Sequence, residues 1–493
     1  MKQFLFKKIF CLSLTLSLAA GAFALTVQVD PVSGVDNGFS PFQTIPAALA
    51  AIAGADAGPD TVNLRTNGVH TLSAQLVVNA AAADGDLTIQ VDPGDSGSAV
   101  IRLPGTAGFQ IVFSPDGGQT INVSGVSIIG GTGTGAVGGD GIQVARAAGA
   151  GIATVNFTDC VFAANDGTDN PVPYNVNSRT VTGASWPGDD YIDYFENTAG
   201  TLTNVKISHT ADEGIIVRGS QSVGNVGADV TITGDSAITY CGGRAVQLPF
   251  QADPSDTPLK FNMIGSPAER IRIFGNVVDN PEPTVTFFNG DVTLQYVDIV
   301  GNNDVGIRVD TDTCDSLNIE CTRVAENNGT QIVFLFTTGD LTQADIKKST
   351  FHNSLTNVAL EVDAAVTGIT INVEDSIFTG SGDQINSVTG NTATLNFTNC
   401  ALVQIGADAL GTPVFADLPP TSELNTVAQS PNYVSKTFDV TDPQNADFLR
   451  VTDLQPVYLT ASTLGGELTG GACLPIVNVP PPTAAESVWS MYE

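Results

Sequence analysis

The sequence predicts an all-β chain wound into a right-handed parallel β-helix, closed by a short N-terminal capping helix and an irregular C-terminal cap. Three observations carry that expectation. One short phrase of alternating apolar and polar residues recurs along the chain, roughly every 24 to 27 residues from residue 294 onward. A second short strand, often opened by glycine, follows each phrase. Helical periodicity is nearly absent between them, and alternation dominates.

The phrase reads apolar, polar, apolar, two polar positions, a small or apolar residue, a spacer and an apolar residue. It occurs as Ile121-Asn122-Val123 with Val126 and Ile128, and as Val155-Asn156-Phe157 with Cys160 and Phe162. It returns around Val292, Leu317, Ala344, Ile371 and Leu395, with degenerate copies around Leu202 and Val230. The second strand reads Gly141-Ile142-Gln143-Val144, Gly214-Ile215-Ile216-Val217 and Gly306-Ile307-Arg308-Val309. A strand this short cannot bury its own apolar face. Stacked coils solve the problem, because paired strands about 4.8 Å apart set each apolar residue on its counterpart in the next coil. Small residues such as Cys160, Ser349, Ser376 and Cys400 suit the crowded inner corners.

The ends follow the same logic, since a stack of parallel strands exposes an unpaired edge at each end. Thr44 is placed to cap a helix through Pro46 to Ile52, with proline in its first turn, as a plug for the N-terminal edge. Residues 25–402 are assigned to the β-helix, with insertions at 166–199 and 249–290. Residues 403–479 form the C-terminal cap, and 480–493 a proline-rich spacer and a tail bearing Trp489 and Tyr492. Residues 1–24 read as a signal peptide: Lys2, Lys7 and Lys8, a short apolar run, then Ala22-Phe23-Ala24. That run is too short for a membrane span, and no stretch of the mature chain is apolar enough for one. The expected address is therefore secretion or the cell surface.

A formal net charge of −32 and the lack of a basic patch argue against nucleic acid as a partner. Six of the seven cysteines lie beyond the signal, with no CxxC pair, which argues against a zinc site. Cys314 and Cys321 are near enough in sequence for a local disulfide.

The opening segment, Asp30-Pro31-Val32-Ser33-Gly34 and Pro41 through Leu49, resembles that of the pectin-lyase-like superfamily of bacterial right-handed β-helix repeat proteins. Asp60-Thr61-Val62-Asn63-Leu64 resembles the first rung of that class, and Asn445 to Arg450 its closing segment. The resemblance implies the fold for most of the mature chain, but no single activity. Polygalacturonase-type hydrolases of the superfamily carry Asn-Thr-Asp, Asp-Asp, Gly-His-Gly and Arg-Ile-Lys in successive coils. This chain has the pair Asp189-Asp190 and the distant echo Arg270-Ile271-Arg272, without Gly-His-Gly.

Loops between coils are where such a scaffold carries function, because the rungs are committed to packing. The 166–199 segment gathers Trp186, Asp189, Asp190, Tyr191, Asp193 and Tyr194, and the next coil adds His209, Asp212, Glu213 and Arg218. Asp189, Asp190, Asp193, His209, Asp212 and Arg218 are the candidate catalytic residues, since paired carboxylates act as acid and base on glycosidic bonds. Trp186, Tyr191 and Tyr194 are the candidate carbohydrate-binding residues, through stacking on sugar rings. Asp310 and Asp312 are candidate ligands for Ca²⁺, although no cofactor is required. Asn122, Asn156, Asn318, Asn372 and Asn396 share an outward position and would form a polar ladder.

The leading expectation is an extracellular β-helix that serves adhesion or binds a polysaccharide or cell-surface glycan without turnover. A polysaccharide lyase or glycoside hydrolase working through 166–199 is the first alternative, and a structural surface-array component the second.

Overall fold

The computed structural model describes residues 24–404, apart from 54–57, 80–84, 221–223, 250–257, 311–313, 336–340, 354–357, 381–383 and 389, with short strands at 415–416, 423–426, 463–464, 467–470 and 474–475. The chain forms a parallel β-helix, as the repeat predicts. Each coil lays down three short strands, and each strand pairs in parallel with its counterpart in the next coil. The first sheet runs through Thr120–Ser124, Ala153–Thr158, Thr198–Thr203 and Asp229–Thr233. The second runs through Val126–Ile129, Val161–Ala163, Lys206–Ser208 and Ala237–Thr239. The third, a 12-stranded ladder, includes Ile142–Val144, Ile192–Tyr194, Ile215–Val217 and Val246–Leu248. Among the described residues no helix is long and apolar enough to cross a membrane.

Register places like on like, as stacking requires. Val155 sits on Ile121 and Phe157 on Val123, all of them buried. Each fully buried side chain of this kind contributes about 1.5–3 kcal/mol. Aromatic rings run edge to face through the interior from Phe113 to Phe157, Phe162 and Tyr191, with centroids 5.5, 5.2 and 5.8 Å apart. The two polar positions of the phrase mark the corner between the first and second sheets. There a single residue takes the left-handed conformation: Gly125, Asp159, Asn204, Tyr296, Cys321, Lys348 and Asp375. The small residue after it faces the inner corner. Ser349 Oγ accepts from the Thr322 N–H at 3.2 Å, and Ser376 Oγ from the Ser349 N–H at 3.1 Å.

The N-terminal plug is a helix over Ile45–Ile52. Thr44 caps it by accepting the Ala47 N–H, Pro46 lies in its first turn, and Ile45, Ala48 and Ile52 are buried. On the outer face of the first sheet the expected ladder is present, and its amides satisfy one another. Asn156 donates to Asn122 at 3.0 Å, Asn396 to Asn372 at 2.9 Å and Asn372 to Asp345 at 2.9 Å.

Several expectations are corrected. The 249–290 segment contains a complete coil, with Lys260–Ile264, Ile271–Phe274 and Val285–Phe287 each pairing with neighbours above and below. The 166–199 segment likewise holds a third-sheet rung, Ile192–Tyr194, which opens on Asp-Tyr rather than glycine. The coils also continue past 402: Phe415–Ala416 pairs with Ile385–Asn386, and Glu423–Thr426 with the strand Thr394–Gln404. Cys314 is a free buried thiol while Cys321 is disulfide-bonded, so the local Cys314–Cys321 bridge does not form. The extended strand Cys314–Glu320 runs between the two cysteines and holds them beyond disulfide reach. Residues 1–23 and the Trp489–Tyr492 tail lie outside the described residues.

Candidate functional site

The candidate site is built by register. A two-stranded parallel ribbon on the flank of the shaft pairs Gly135–Val137 with Ser185–Pro187. Beyond it the same two coils enter the third sheet, where Ile142 sits beside Ile192, Ile192 beside Ile215, and Ile215 beside Val246. The residue two places before each of these is polar: Asp140, Asp190, Glu213 and Arg244. Backbone bonds hold the turns in step, from Gly141 N to Asp190 O (2.8 Å), Tyr191 N to Glu213 O (2.9 Å) and Gly214 N to Arg244 O (2.9 Å). Four consecutive coils therefore stack two carboxyls, a third carboxyl and a guanidinium about 4.8 Å apart. Asp189 and Asp212 form a second column beside them. The carboxylate oxygens of Asp140, Asp189 and Asp190 all lie within 4.8 Å of one another, and so do those of Asp190, Asp212 and Glu213.

Close carboxyls out of water cannot all ionise. Burial, aided by the hydrogen bond to Glu213, pushes Asp190 up to about 10, so it is protonated at neutral pH. It shares that proton with Glu213 and accepts the Glu213 N–H at 3.1 Å. Burial also raises Glu213, to about 7, against the pull of Arg244, whose Nη1 donates to it at 2.6 Å. Arg244 reaches Glu282 at 3.2 Å as well. Burial and then the adjacent Asp189 charge raise Asp140 to about 6. Asp189 is exposed, Asp140 and Asp212 are half-buried, and the stack opens to solvent at Asp189.

Of the sequence-predicted catalytic residues, the structure brings Asp189, Asp190 and Asp212 together. Asp193 stands on the outer face of the next strand and pairs with Arg218, whose Nε donates to both carboxylate oxygens at 2.9 Å. Burial raises Asp193 while that pairing opposes it. Asp140 was missed. The signal for it was positional, an acidic residue directly before the glycine that opens a third-sheet strand, matched by Glu213 before Gly214.

Other assignments are corrected. His209 lies apart from the carboxylates, fully buried, stacked on Tyr240 at 5.6 Å, with Nε2 2.6 Å from Val176 O. Burial pushes it down to about 3, so it is a neutral strut beneath the loop 164–184 and not an acid or base. Tyr191 and Tyr194 are fully buried and offer no ring face to a sugar. They point inward because their rung belongs to the core; Tyr191 donates to Ile128 O and Ala163 O, and Tyr194 to Val155 O. Trp186 sits in the flanking ribbon, half-buried, with the Arg179 guanidinium 4.7 Å over its ring. Asp310 is buried and paired with Arg308 Nε at 3.1 Å, which makes it an ion-pair partner rather than an open Ca²⁺ ligand. Asp312 lies outside the described residues.

No protein-family model matches the sequence, and no curated protein matches it. Solved structures similar to this chain include pectate lyase Pel9A, at 11% identity and a TM-score of 0.43, covering 92% of this chain and 97% of that one. The catalytic domain of a GH87 alpha-1,3-glucanase has 12% identity and a TM-score of 0.48, covering 82% and 68%. The A-module of mannuronan C-5 epimerase AlgE4 from Azotobacter vinelandii has 13% identity and a TM-score of 0.34, covering 81% and 100%.

Proposed function

We propose that this is an exported, carbohydrate-active β-helix whose working site is the carboxylate stack, and that the stack cleaves a polysaccharide by proton transfer. One observation carries the reading. Asp140, held at about 6, hydrogen-bonds an exposed carboxyl, Asp189, at the solvent mouth of the stack. An acid kept partly protonated near neutral pH and open to solvent is what protonating a leaving glycosidic oxygen requires. Asp140 supplies the proton to the leaving oxygen, and Asp189, hydrogen-bonded to it at the solvent mouth, relays the proton that replaces it. The Asp190–Glu213–Arg244 column beneath fixes their position.

The test is incubation of the full chain with neutral and acidic polysaccharides, followed by assays for new reducing ends and for unsaturated ends. Replacing one partner of an acid–base pair costs roughly 10²–10⁴-fold, so Asp189→Asn is expected to lower product formation at least a hundredfold. Equal product formation by wild type and Asp189→Asn removes the assignment.

Binding without turnover is the second reading, and the two carboxylate trios favour it, because each offers three oxygens to one Ca²⁺. Its signature is polysaccharide retention that needs Ca²⁺ and yields no product. The surface-array alternative rests on the tail at 487–493, outside the described residues.

A further inference from the structure

We infer that the carboxylate stack is one end of a longer glycan-binding surface, and that this surface takes an uncharged polysaccharide. The inference rests on the reading of the stack given above and adds to it a second site and a substrate class.

A polar groove of about 430 Å³ lies at the other end of the flanking ribbon. That volume falls in the range of ligand sites, roughly 300–1,000 Å³. Arg102, Thr132, Thr134, Asp166, Thr182 and Ser185 line it, together with glycine backbone. The ribbon joins groove to stack. Ser185 is the first residue of one ribbon strand, and Thr134 directly precedes the other, so both ribbon strands leave the groove side by side. Asp189 and Asp140 follow the far ends of those same strands. Ser185 and Asp189 are four residues apart, at most about 13 Å along extended backbone. A sugar chain laid along the ribbon therefore reaches from the groove to Asp189 within a few rings.

The charge pattern selects a neutral chain. Arg102 is the one cation among the described lining residues, and its charge is already matched. Its Nη1 donates to both oxygens of Asp169 at 2.6 Å, and its Nη2 to Thr71 at 3.1 Å. Asp166 spends its carboxylate on Thr168 and the Asn170 N–H. A polyuronate would find no free cation here and would meet the carboxyls of the stack at the other end. The hydroxyls of Thr132, Thr134 and Thr182 are exposed, and they suit the hydroxyls of a neutral sugar. A neutral substrate also fixes the chemistry as hydrolysis. Water adds across the glycosidic bond, its hydroxyl going to the anomeric carbon and its proton to solvent, while Asp140 protonates the departing oxygen and is reprotonated through Asp189.

The experiment is affinity electrophoresis of the full-length Asp189→Asn protein through soluble neutral glucan, galactomannan and polygalacturonate, with Thr182→Trp and Thr134→Trp as groove-filling variants of it. Melting temperatures confirm that each variant folds. Retardation by a neutral polymer is expected, weakened at least tenfold by either tryptophan. Stronger binding of polygalacturonate than of any neutral polymer overturns the inference. So does neutral-polymer binding that neither tryptophan changes, which leaves the stack reading standing. If wild type neither binds nor cleaves any polysaccharide, the stack reading falls and takes this inference with it.

Discussion

Replacing Asp190 by Asn tests the electrostatics of the stack more directly than any activity assay. Asp190 titrates near 10 in the folded chain instead of near 3.8, because it is buried and faces Glu213. A carboxyl whose folded value is raised holds its proton more tightly than the unfolded chain does. Its contribution to stability is thus complete below about 3.8 and is lost steadily as pH rises toward 10. Each pH unit in that window removes up to about 1.4 kcal/mol. Between pH 5 and pH 8 the ceiling is about 4 kcal/mol, and sharing of the proton with Glu213 brings the expected loss to about 2–4 kcal/mol. Asparagine has nearly the shape of the protonated acid, accepts the Glu213 N–H and donates to the Glu213 carboxylate, but has no proton to lose. Asp190→Asn is therefore expected to match wild type within about 1 kcal/mol at pH 5, and to be about 2–4 kcal/mol more stable at pH 8. For a shaft of roughly 380 residues the unfolding entropy is about 0.8 kcal/mol/K, so the gain at pH 8 corresponds to about 3–5 °C in melting temperature. Scanning calorimetry of both proteins across this range reads the divergence. A variant that melts lower at pH 8, or runs parallel to wild type throughout, refutes a protonated Asp190.

Two further predictions concern the shaft. Asn302 belongs to a buried ladder in which its Oδ1 accepts the Asn276 N–H at 3.0 Å and its Nδ2 donates to Asn327 at 2.8 Å. Asn302→Ala strands both partners out of water and is expected to cost about 2–4 kcal/mol in thermal unfolding, each orphaned group costing roughly 1–3 kcal/mol; a loss under about 0.5 kcal/mol would show that water replaces the amide. Burial pushes the Cys160, Cys241 and Cys400 thiols up to about 12 and Cys314 higher still. All four are expected to ignore a thiol reagent in the native protein at pH 8 and to react once it is unfolded, and rapid native labelling would contradict their placement in the core.

The winding of the chain was legible because a solenoid repeats its physical problem in every coil. Each rung must offer an apolar side chain at the same place, so Ile121, Val155, Leu317 and Ile371 announce their partners without reference to anything distant. The helix capped by Thr44 was equally local, a matter of one side-chain oxygen, one proline and three buried positions. The rung at Ile192–Tyr194 was harder to see, because it lacks an opening glycine and its tyrosines read as surface aromatics until the core closes around them. The alignment of Asp140 on Asp190 and Glu213 was decided only in three dimensions. It depends on how many residues each intervening turn consumes before the chain rejoins the third sheet, and turn length is free wherever the turn faces solvent. Sequence supplied the acidic residues; register decided which of them share a proton.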